Sequence, residues 1–103
     1  MQVTEFDKKV WVALKLIPRG KVTTYKAIAE FIGQPKAARA VGNACGKNPD
    51  APRAPCHRVV KSNGHLGGYA QGVKKKIKLL EGEGVQTIRE KVNDWQEKIY
   101  RFK

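Results

Sequence analysis

Proline and glycine interrupt this chain so regularly that each helix must be short. Apolar residues recur at helical spacing after Thr4, a good N-cap residue, until Pro18 and Gly20 end the run. Further breaks at Gly33 and Gly46 predict two more short helices separated by a tight turn. The three predicted helices cover residues 4–17, 24–33 and 35–45. Two short helices joined by a glycine-containing turn are typical of a helix-turn-helix unit.

The middle of the chain predicts a short β element and one more helix. Three prolines between residues 46 and 55 forbid regular structure there, Val59 and Val60 predict a short strand, and Asn63-Gly64 predicts a tight turn. A helix over residues 73–80 follows, with its apolar residues facing inward and its four lysines facing outward. The 103 residues thus predict one mainly α domain, a winged-helix-like helix-turn-helix with a short β element.

The last segment, residues 85–103, predicts an extra C-terminal helix. Thr87 and Glu90 have the spacing of a capping box. Apolar residues then recur at steps of four and three: Ile88, Val92, Trp95, Ile99 and Phe102. Because such a stripe is costly to leave in water, we expect this amphipathic helix to pack on the domain formed by residues 1–84. The alternative is a short coiled coil with a second chain.

The charge of the chain is extreme for its size. Its 21 Lys and Arg residues against 9 acidic residues give a formal net charge of +12. Thirteen of these basic residues but only two acidic ones lie between Arg19 and Leu80. Such a stretch is typical of a protein that binds a polyanion, and a basic ribosomal-type protein is the alternative. The sequence shows no secretory signal and no apolar run near the ~20 residues that span a bilayer, so we expect a cytoplasmic protein without a membrane role.

The sequence Pro55-Cys56-His57-Arg58 places a thiol beside an imidazole. A thiol is a weak nucleophile until its proton is removed, which an imidazole can do directly or through one water. Taken alone, such a cysteine is more often a small buried apolar residue. Cys45 and Cys56 could pair, but a reducing compartment favours free thiols. A zinc site that also uses both histidines matches no common spacing, so no metal is expected.

The third predicted helix carries few large side chains. Only Val41 is bulky enough to anchor it, and Arg39 stands among alanine and glycine. Such a helix can approach another surface closely, and Arg39 can penetrate that surface. A helix-turn-helix regulator, which is another functional alternative, would need large polar side chains here to read the major groove.

Together these blocks resemble the C-terminal, DNA-binding and active-site domain of the O6-alkylguanine-DNA alkyltransferases. The matching blocks are residues 20–25, 35–42, 48–49, 55–59, 63–64, 68–69, 79–80 and 83–84. The resemblance implies DNA repair by direct reversal: the alkyl group moves irreversibly, once per molecule, from O6 of an extruded guanine to a cysteine, without a cofactor. It also implies binding to double-stranded DNA through the minor groove. We expect a monomer that is located with the chromosome in the cytoplasm.

The resemblance assigns roles to five catalytic residues. Cys56 is the acceptor, His57 withdraws its proton through a bound water, and Glu83 orients His57. Asn48 braces the turn that carries Cys56. Tyr25 crowds the rotated phosphate and donates a proton to the leaving purine.

The resemblance also implies the DNA and base contacts. Arg39 fills the hole left by the extruded nucleotide. The implied DNA-contact residues are Thr24, Tyr25, Lys36, Ala37, Ala38, Arg39, Ala40 and Gly42. The implied base pocket consists of Tyr69, Ala70, Val59 and Cys45, with Tyr69 as its aromatic wall. Cys45 stands where many relatives carry a larger apolar residue, so the range of alkyl groups is open.

Two departures from the family pattern bear on function. The usual N-terminal domain has no counterpart in this sequence. The alkyltransferase-like proteins also consist of this domain alone, but there the acceptor cysteine is typically replaced by Trp. Because Cys56 is present, alkyl transfer is the main expectation, and a non-catalytic lesion-binding protein is the alternative.

Overall fold

A computed structural model describes residues 3–49, 51 and 53–102 of the chain. Within them the chain is mainly helical, with two small sheets of two strands each. The elements, in chain order, are α1 (Glu5–Leu14), β1 (Thr23–Thr24), α2 (Tyr25–Phe31), α3 (Ala38–Gly46), a 3-10 turn (Cys56–Arg58), β2 (Val59–Val60), α4 (Val73–Gly82), β3 (Thr87–Ile88), β4 (Lys91–Val92) and α5 (Trp95–Lys98). The predicted fold class, a mainly α helix-turn-helix domain with short β elements, is confirmed. No helix in this part of the chain is long and apolar enough to cross a membrane.

The first helix begins at a complete capping box. The Thr4 hydroxyl accepts a hydrogen bond from the Asp7 N–H at 3.1 Å, and the Asp7 carboxylate accepts one from the Thr4 N–H at 3.0 Å. The same carboxylate accepts a hydrogen bond from Lys47 Nζ at 2.6 Å, which ties α1 to the end of α3. Val10 and Leu14 on the inner side of α1 are buried in the main core.

The second and third helices form the predicted helix-turn-helix. The Thr24 hydroxyl caps α2 by accepting a hydrogen bond from the Ala27 N–H at 2.9 Å. The third helix begins three residues later than predicted, because the Ala37 N–H donates to the Gln34 carbonyl at 2.9 Å and closes a turn there. From that start, α3 packs against both α1 and α2.

A parallel pair of strands connects this unit to the turn that carries Cys56. Thr23 pairs with Val59, and Thr24 pairs with Val60. Only the β2 half of the pair follows from the sequence, because two threonines before a helix carry no periodic signal. The pairing places the start of α2 beside the Cys56 turn.

Lys76 corrects the prediction that all four lysines of the fourth helix face outward. Its side chain is wholly buried, whereas Lys74, Lys75 and Lys78 are exposed. Lys76 lies about one turn before the buried Leu80, so the helical repeat places it on the inner face.

The C-terminal segment corrects a second prediction, because it is not one amphipathic helix. Residues 87–92 form an antiparallel hairpin of β3 and β4, and α5 contains only four residues. The hairpin turn places Arg89 and Glu90 in the left-handed region, with φ of 52° and 62°. The hairpin is favoured over a helix because its backbone pairs with the loop after β2. In this pairing the Leu66 N–H donates to the Glu90 carbonyl at 2.9 Å.

The predicted apolar stripe is only partly used for packing. Val92 is buried, but Ile88 is 60 % exposed. Trp95, Ile99 and Phe102 are half-buried. The segment nevertheless packs on the rest of the chain: the Tyr100 N–H donates to the Val22 carbonyl at 2.6 Å, and the Val22 N–H donates to the Lys98 carbonyl at 2.9 Å.

Candidate active site

Cys56 begins the 3-10 turn, directly after Pro55. The Pro55 carbonyl accepts a hydrogen bond from the Arg58 N–H at 2.9 Å, which closes the turn. Asn48 Nδ2 donates to the Ala54 carbonyl at 2.7 Å, so the side chain predicted to brace this turn contacts the residue just before Pro55. Cys56 is a free thiol with 5 % of its surface exposed.

The structure brings His57 and Glu83 together at the end of α4. His57 Nε2 lies 3.0 Å from Glu83 Oε2. Arg58 donates two hydrogen bonds to the same carboxylate, from Nε to Oε1 at 2.9 Å and from Nη2 to Oε2 at 2.7 Å. Arg58 Nη1 also donates to the Ile17 carbonyl at 2.6 Å, which anchors the group to the chain after α1. Glu83 is therefore fixed from two sides.

The electrostatics of this group keep His57 neutral at pH 7. Burial lowers the pKa of His57 below its ordinary value of 6.5, although the hydrogen bond to Glu83 opposes the shift. Burial alone would raise the pKa of Glu83, but hydrogen bonds from Arg58 and His57 outweigh it and lower the pKa. Because an ionised carboxylate can only accept, Nε2 carries the His57 proton and Nδ1 holds the lone pair. Nδ1 is buried, and no described residue hydrogen-bonds to it.

A cavity of about 230 Å³ opens beside the Cys56 thiol. Its lining residues are Tyr25, Gly42, Cys45, Gly46, Cys56, Gly68, Tyr69 and Ala70. Of the predicted pocket residues, Tyr69, Ala70 and Cys45 line the cavity. Val59, the fourth predicted pocket residue, does not line the cavity, and its carbonyl accepts a hydrogen bond from Lys76 Nζ at 2.7 Å. Two aromatic rings and four residues with little or no side chain give the cavity walls that suit a flat ligand.

Burial keeps the other polar groups of the cavity protonated. It raises the pKa of Tyr25, Tyr69 and Cys45 to about 12 each, and repulsion from a neighbouring cysteine thiolate adds to each shift. Cys45 is therefore a thiol at neutral pH and not a nucleophile. In the described part of the chain, no three His, Cys, Asp or Glu side chains converge as metal ligands would.

The outer face of α3 has the composition predicted for a close approach. Six predicted DNA-contact residues are partly or fully exposed in this region: Lys36, Ala37, Ala38, Arg39, Ala40 and Gly42. Tyr25 lies beside them, since a Cβ on Gly42 would sit 3.8 Å from its ring. Thr24 is only 7 % exposed, and its hydroxyl caps α2, so the structure gives it a role inside the fold.

Comparison with known proteins decides which family this site belongs to. A profile of the DNA-binding domain of 6-O-methylguanine DNA methyltransferase matches residues 5–85. The chain belongs to this methyltransferase family. A methylated-DNA–protein-cysteine methyltransferase of Methanosarcina acetivorans is 57 % identical over 81 residues, which cover 79 % of this chain and 52 % of that relative. The chain thus spans about half the length of the curated methyltransferases it matches.

Two solved structures have a similar fold. Mycobacterium tuberculosis OGT in complex with DNA gives a TM-score of 0.78 at 49 % identity, over 81 % of this chain and 51 % of that one. S. pombe Atl1 in complex with damaged DNA containing O6-carboxymethylguanine gives a TM-score of 0.86 at 33 % identity, over 99 % of this chain and 100 % of that one. The similarity to Atl1 therefore extends over the C-terminal segment as well as the methyltransferase domain.

Sequence reasoning missed Lys76, which supports the cavity of this methyltransferase domain from beneath. Its Nζ donates to three carbonyls: Val59 at 2.7 Å, Leu66 at 2.5 Å and Gly68 at 3.1 Å. Val59 follows the Cys56 turn, and Gly68 lines the cavity, so one cation joins the two sides. Burial lowers the pKa of Lys76 to about 8, although attraction to nearby thiolates opposes the shift. Its place on the inner face of α4 is the only sequence signal that could have revealed it.

Proposed function

We propose that this protein repairs alkylated DNA by direct reversal. The Cys56 sulfur attacks the alkyl carbon, an S–C bond forms, and the bond to O6 breaks with its electron pair passing to the guanine. The thiol proton passes to His57, and the guanine takes up one proton, which leaves normal guanine and S-alkylcysteine. The observation that supports this most is a free thiol on a cavity wall, adjacent in sequence to the His57–Glu83 pair, in a domain of the methyltransferase family.

The His57–Glu83 pair supports formation of the thiolate. Nδ1 of neutral His57 can take the Cys56 proton through a bound water, because Nε2 is engaged by Glu83. The carboxylate then stabilises the imidazolium, as in a catalytic triad that forms no acyl group. Arg58 acts as a positioning residue, since it holds that carboxylate with two hydrogen bonds.

The α3 surface supports binding through the minor groove of double-stranded DNA. Its small residues permit close approach, and Arg39 fills the space left when the alkylguanine rotates into the cavity against Tyr69. Tyr25 keeps its proton, because burial raises its pKa to about 12, so its hydroxyl can crowd the rotated phosphate and donate to the leaving purine. Both solved structures described above are complexes with DNA, which supports DNA binding by this domain.

Transfer occurs once per molecule and needs no cofactor. The product is a thioether, and its sulfur is too poor a leaving group at neutral pH for water to regenerate Cys56. The protein, acting as a monomer, is therefore consumed stoichiometrically with the lesion.

Non-catalytic lesion binding is a second candidate function, and one observation favours it. Atl1 matches this chain over its own full length, whereas the methyltransferases match over about half of theirs. A lesion-binding protein would extrude and hold the alkylguanine without reacting. The free Cys56 thiol favours transfer.

Intact-mass spectrometry after incubation with a duplex containing O6-methylguanine distinguishes the two functions. Transfer predicts that each protein molecule gains the mass of one methylene group, and that the reaction stops at one equivalent. Cys56→Ser should bind the duplex without any mass gain, whereas Cys45→Ser should still gain the mass. Tight binding of the methylated duplex by the parent protein, with no mass change, would establish lesion binding instead.

A further inference from the structure

The C-terminal hairpin completes a cleft with the loop that follows β2. The Leu66 N–H donates to the Glu90 carbonyl at 2.9 Å, and His65 forms an antiparallel bridge with Lys91. The match to the family domain ends at residue 85, so the hairpin lies outside the matched domain, and the similarity to Atl1 includes it. The hairpin therefore builds a surface that residues 5–85 cannot form alone.

This hairpin cleft has a volume of about 610 Å³ and a basic lining. Lys61 and His65 line it from the loop and Arg89 from the hairpin turn, against one carboxylate, Glu90. Lys61 and Arg89 are exposed, and neither side chain forms an ion pair or hydrogen bond with any described residue. Cations without a partner in the fold are available to an anionic ligand.

The hairpin cleft borders the cavity beside Cys56. Gly68 lines both. A Cβ on the neighbouring Gly67 would lie 3.4 Å from the Tyr25 hydroxyl oxygen and 3.6 Å from Lys61 Cγ. Tyr25 and the stem of Lys61 therefore flank the same short stretch of backbone. A nucleic-acid strand with one base in the cavity would continue past this stretch.

We propose that the hairpin cleft binds backbone phosphates of the DNA strand that carries the extruded guanine. The proposal rests on the proposed function and extends its DNA-binding surface to the C-terminal segment. The Arg89 guanidinium can hold a phosphate through two parallel hydrogen bonds, and the Lys61 ammonium acts as a second point charge. Contacts of this kind fix the position of the backbone and do not read the sequence. Glu90 repels the same phosphates.

The salt dependence of DNA binding tests the number of phosphate contacts. The test variant is Lys61→Gln with Arg89→Gln, and the matched control is Lys8→Gln with Lys9→Gln, which removes two charges from exposed positions on α1. With a duplex containing O6-methylguanine, the slope of log affinity against log salt should flatten by about 1.8 in the test variant. Between about 50 and 200 mM salt, the fold-decrease in affinity should then be about 12 times smaller for this variant than for the parent. The control should keep the parent slope.

The proposal is overturned if the test variant keeps the parent slope, or if the control flattens it equally. Glu90→Gln gives an independent result of opposite sign, because loss of the carboxylate should strengthen binding at low salt. Weaker or unchanged binding by Glu90→Gln would count against a phosphate in the cleft. Methyl transfer by the parent is measured in the same samples. If the parent transfers the methyl group but the parent and test variant have equal salt slopes, only the proposed phosphate binding in the hairpin cleft is contradicted. If the parent transfers no methyl group, the proposed function is contradicted.

Discussion

The turn that carries Cys56 and the C-terminal segment are both built from very short elements, but different forces hold them in place. Charged groups hold the turn: Glu83 with its two partners on one side, and the wholly buried Lys76 on the other. Backbone hydrogen bonds and aromatic packing hold the C-terminal segment, where the Phe102 ring stacks on Phe31 with centroids 4.5 Å apart. Directional polar contacts thus position the reactive groups, while backbone hydrogen bonds and aromatic packing stabilise the C-terminal segment.

This contrast has a measurable consequence. A hydrogen-bonded charge network defines distances to a few tenths of an ångström, and loss of one partner leaves others buried and unpaired. Aromatic packing at a half-buried edge tolerates change more easily. Substitutions of the charged groups in the first region should therefore change the rate of transfer or the pH dependence of rate or stability. Loss of aromatic packing in the second region should change stability alone.

Glu83→Gln should have the largest effect. A neutral amide cannot serve both Arg58 and His57 as the carboxylate does, and it cannot balance an imidazolium. Because general acid–base groups contribute about 10²–10⁴-fold, methyl transfer should slow by at least about 100-fold in single-turnover assays. Glu81→Gln, on the exposed side of the same helix, is the control and should react at the parent rate. Equal rates for Glu83→Gln and the parent would remove Glu83 from the mechanism.

Lys76→Met should reveal the buried cation through the pH dependence of stability. The pKa of Lys76 is about 8 in the fold and 10.5 ordinarily, so between these values the unfolded chain holds the proton more tightly. Relative to the variant, the parent's free energy of unfolding should therefore rise by about 3 kcal/mol as the pH rises from 8 to 10.5. Urea unfolding under reducing conditions measures this difference. The control is Lys75→Met, which removes an exposed lysine from the same helix. A free-energy difference between Lys76→Met and the parent that does not change with pH would contradict the burial of the Lys76 ammonium.

The rate of transfer should have an acid limb set by His57. Burial holds its pKa below 6.5, so the rate should stay level down to about pH 6.5 and then fall about tenfold per pH unit below the shifted pKa. Stability should fall at higher pH than the rate does, between pH 6.5 and the shifted pKa, because only the unfolded chain takes up the histidine proton in that range. A rate that already declines between pH 8 and 7 would mean that His57 is not held neutral.

Phe102→Ala should have the smallest effect and should act only on stability. The loss of the half-buried stack on Phe31 should reduce the free energy of unfolding by about 1–2 kcal/mol, measured by urea denaturation. Transfer per folded molecule should not change. Val12→Ala, at a site 65 % exposed on α1, should cost less than about 0.5 kcal/mol. A slower transfer rate for Phe102→Ala would show that the C-terminal segment also shapes the active site.

Features with local causes could be predicted from the sequence. Thr4 and Thr24 cap the helices predicted to follow them, because each hydroxyl bonds to a backbone N–H three residues ahead. The contact between His57 and Glu83 is different, since 26 residues separate them. Only the resemblance to the alkyltransferases suggested it, and no local pattern gives Arg58 its place on the same carboxylate.

Two features depend on parts of the fold that no local pattern contains. A lysine in a helix ordinarily indicates the solvent side, and Lys76 is buried only because three carbonyls from β2 and the following loop converge on it. The apolar spacing of residues 88–92 fits a helix as well as two short strands. The backbone N–H of Leu66, which needs an acceptor, favours the strands.

Peptide mapping after reaction with a methylated duplex tests most directly the central claim that Cys56 is the acceptor. Cleavage after Lys and Arg places Cys45 and Cys56 in separate peptides, residues 40–47 and 54–58. All of the transferred methyl group should appear on the peptide with Cys56, and none on the peptide with Cys45, whose pKa burial raises to about 12. A methyl group on Cys45, or a lesion that is bound while both peptides stay unmodified, would contradict the account.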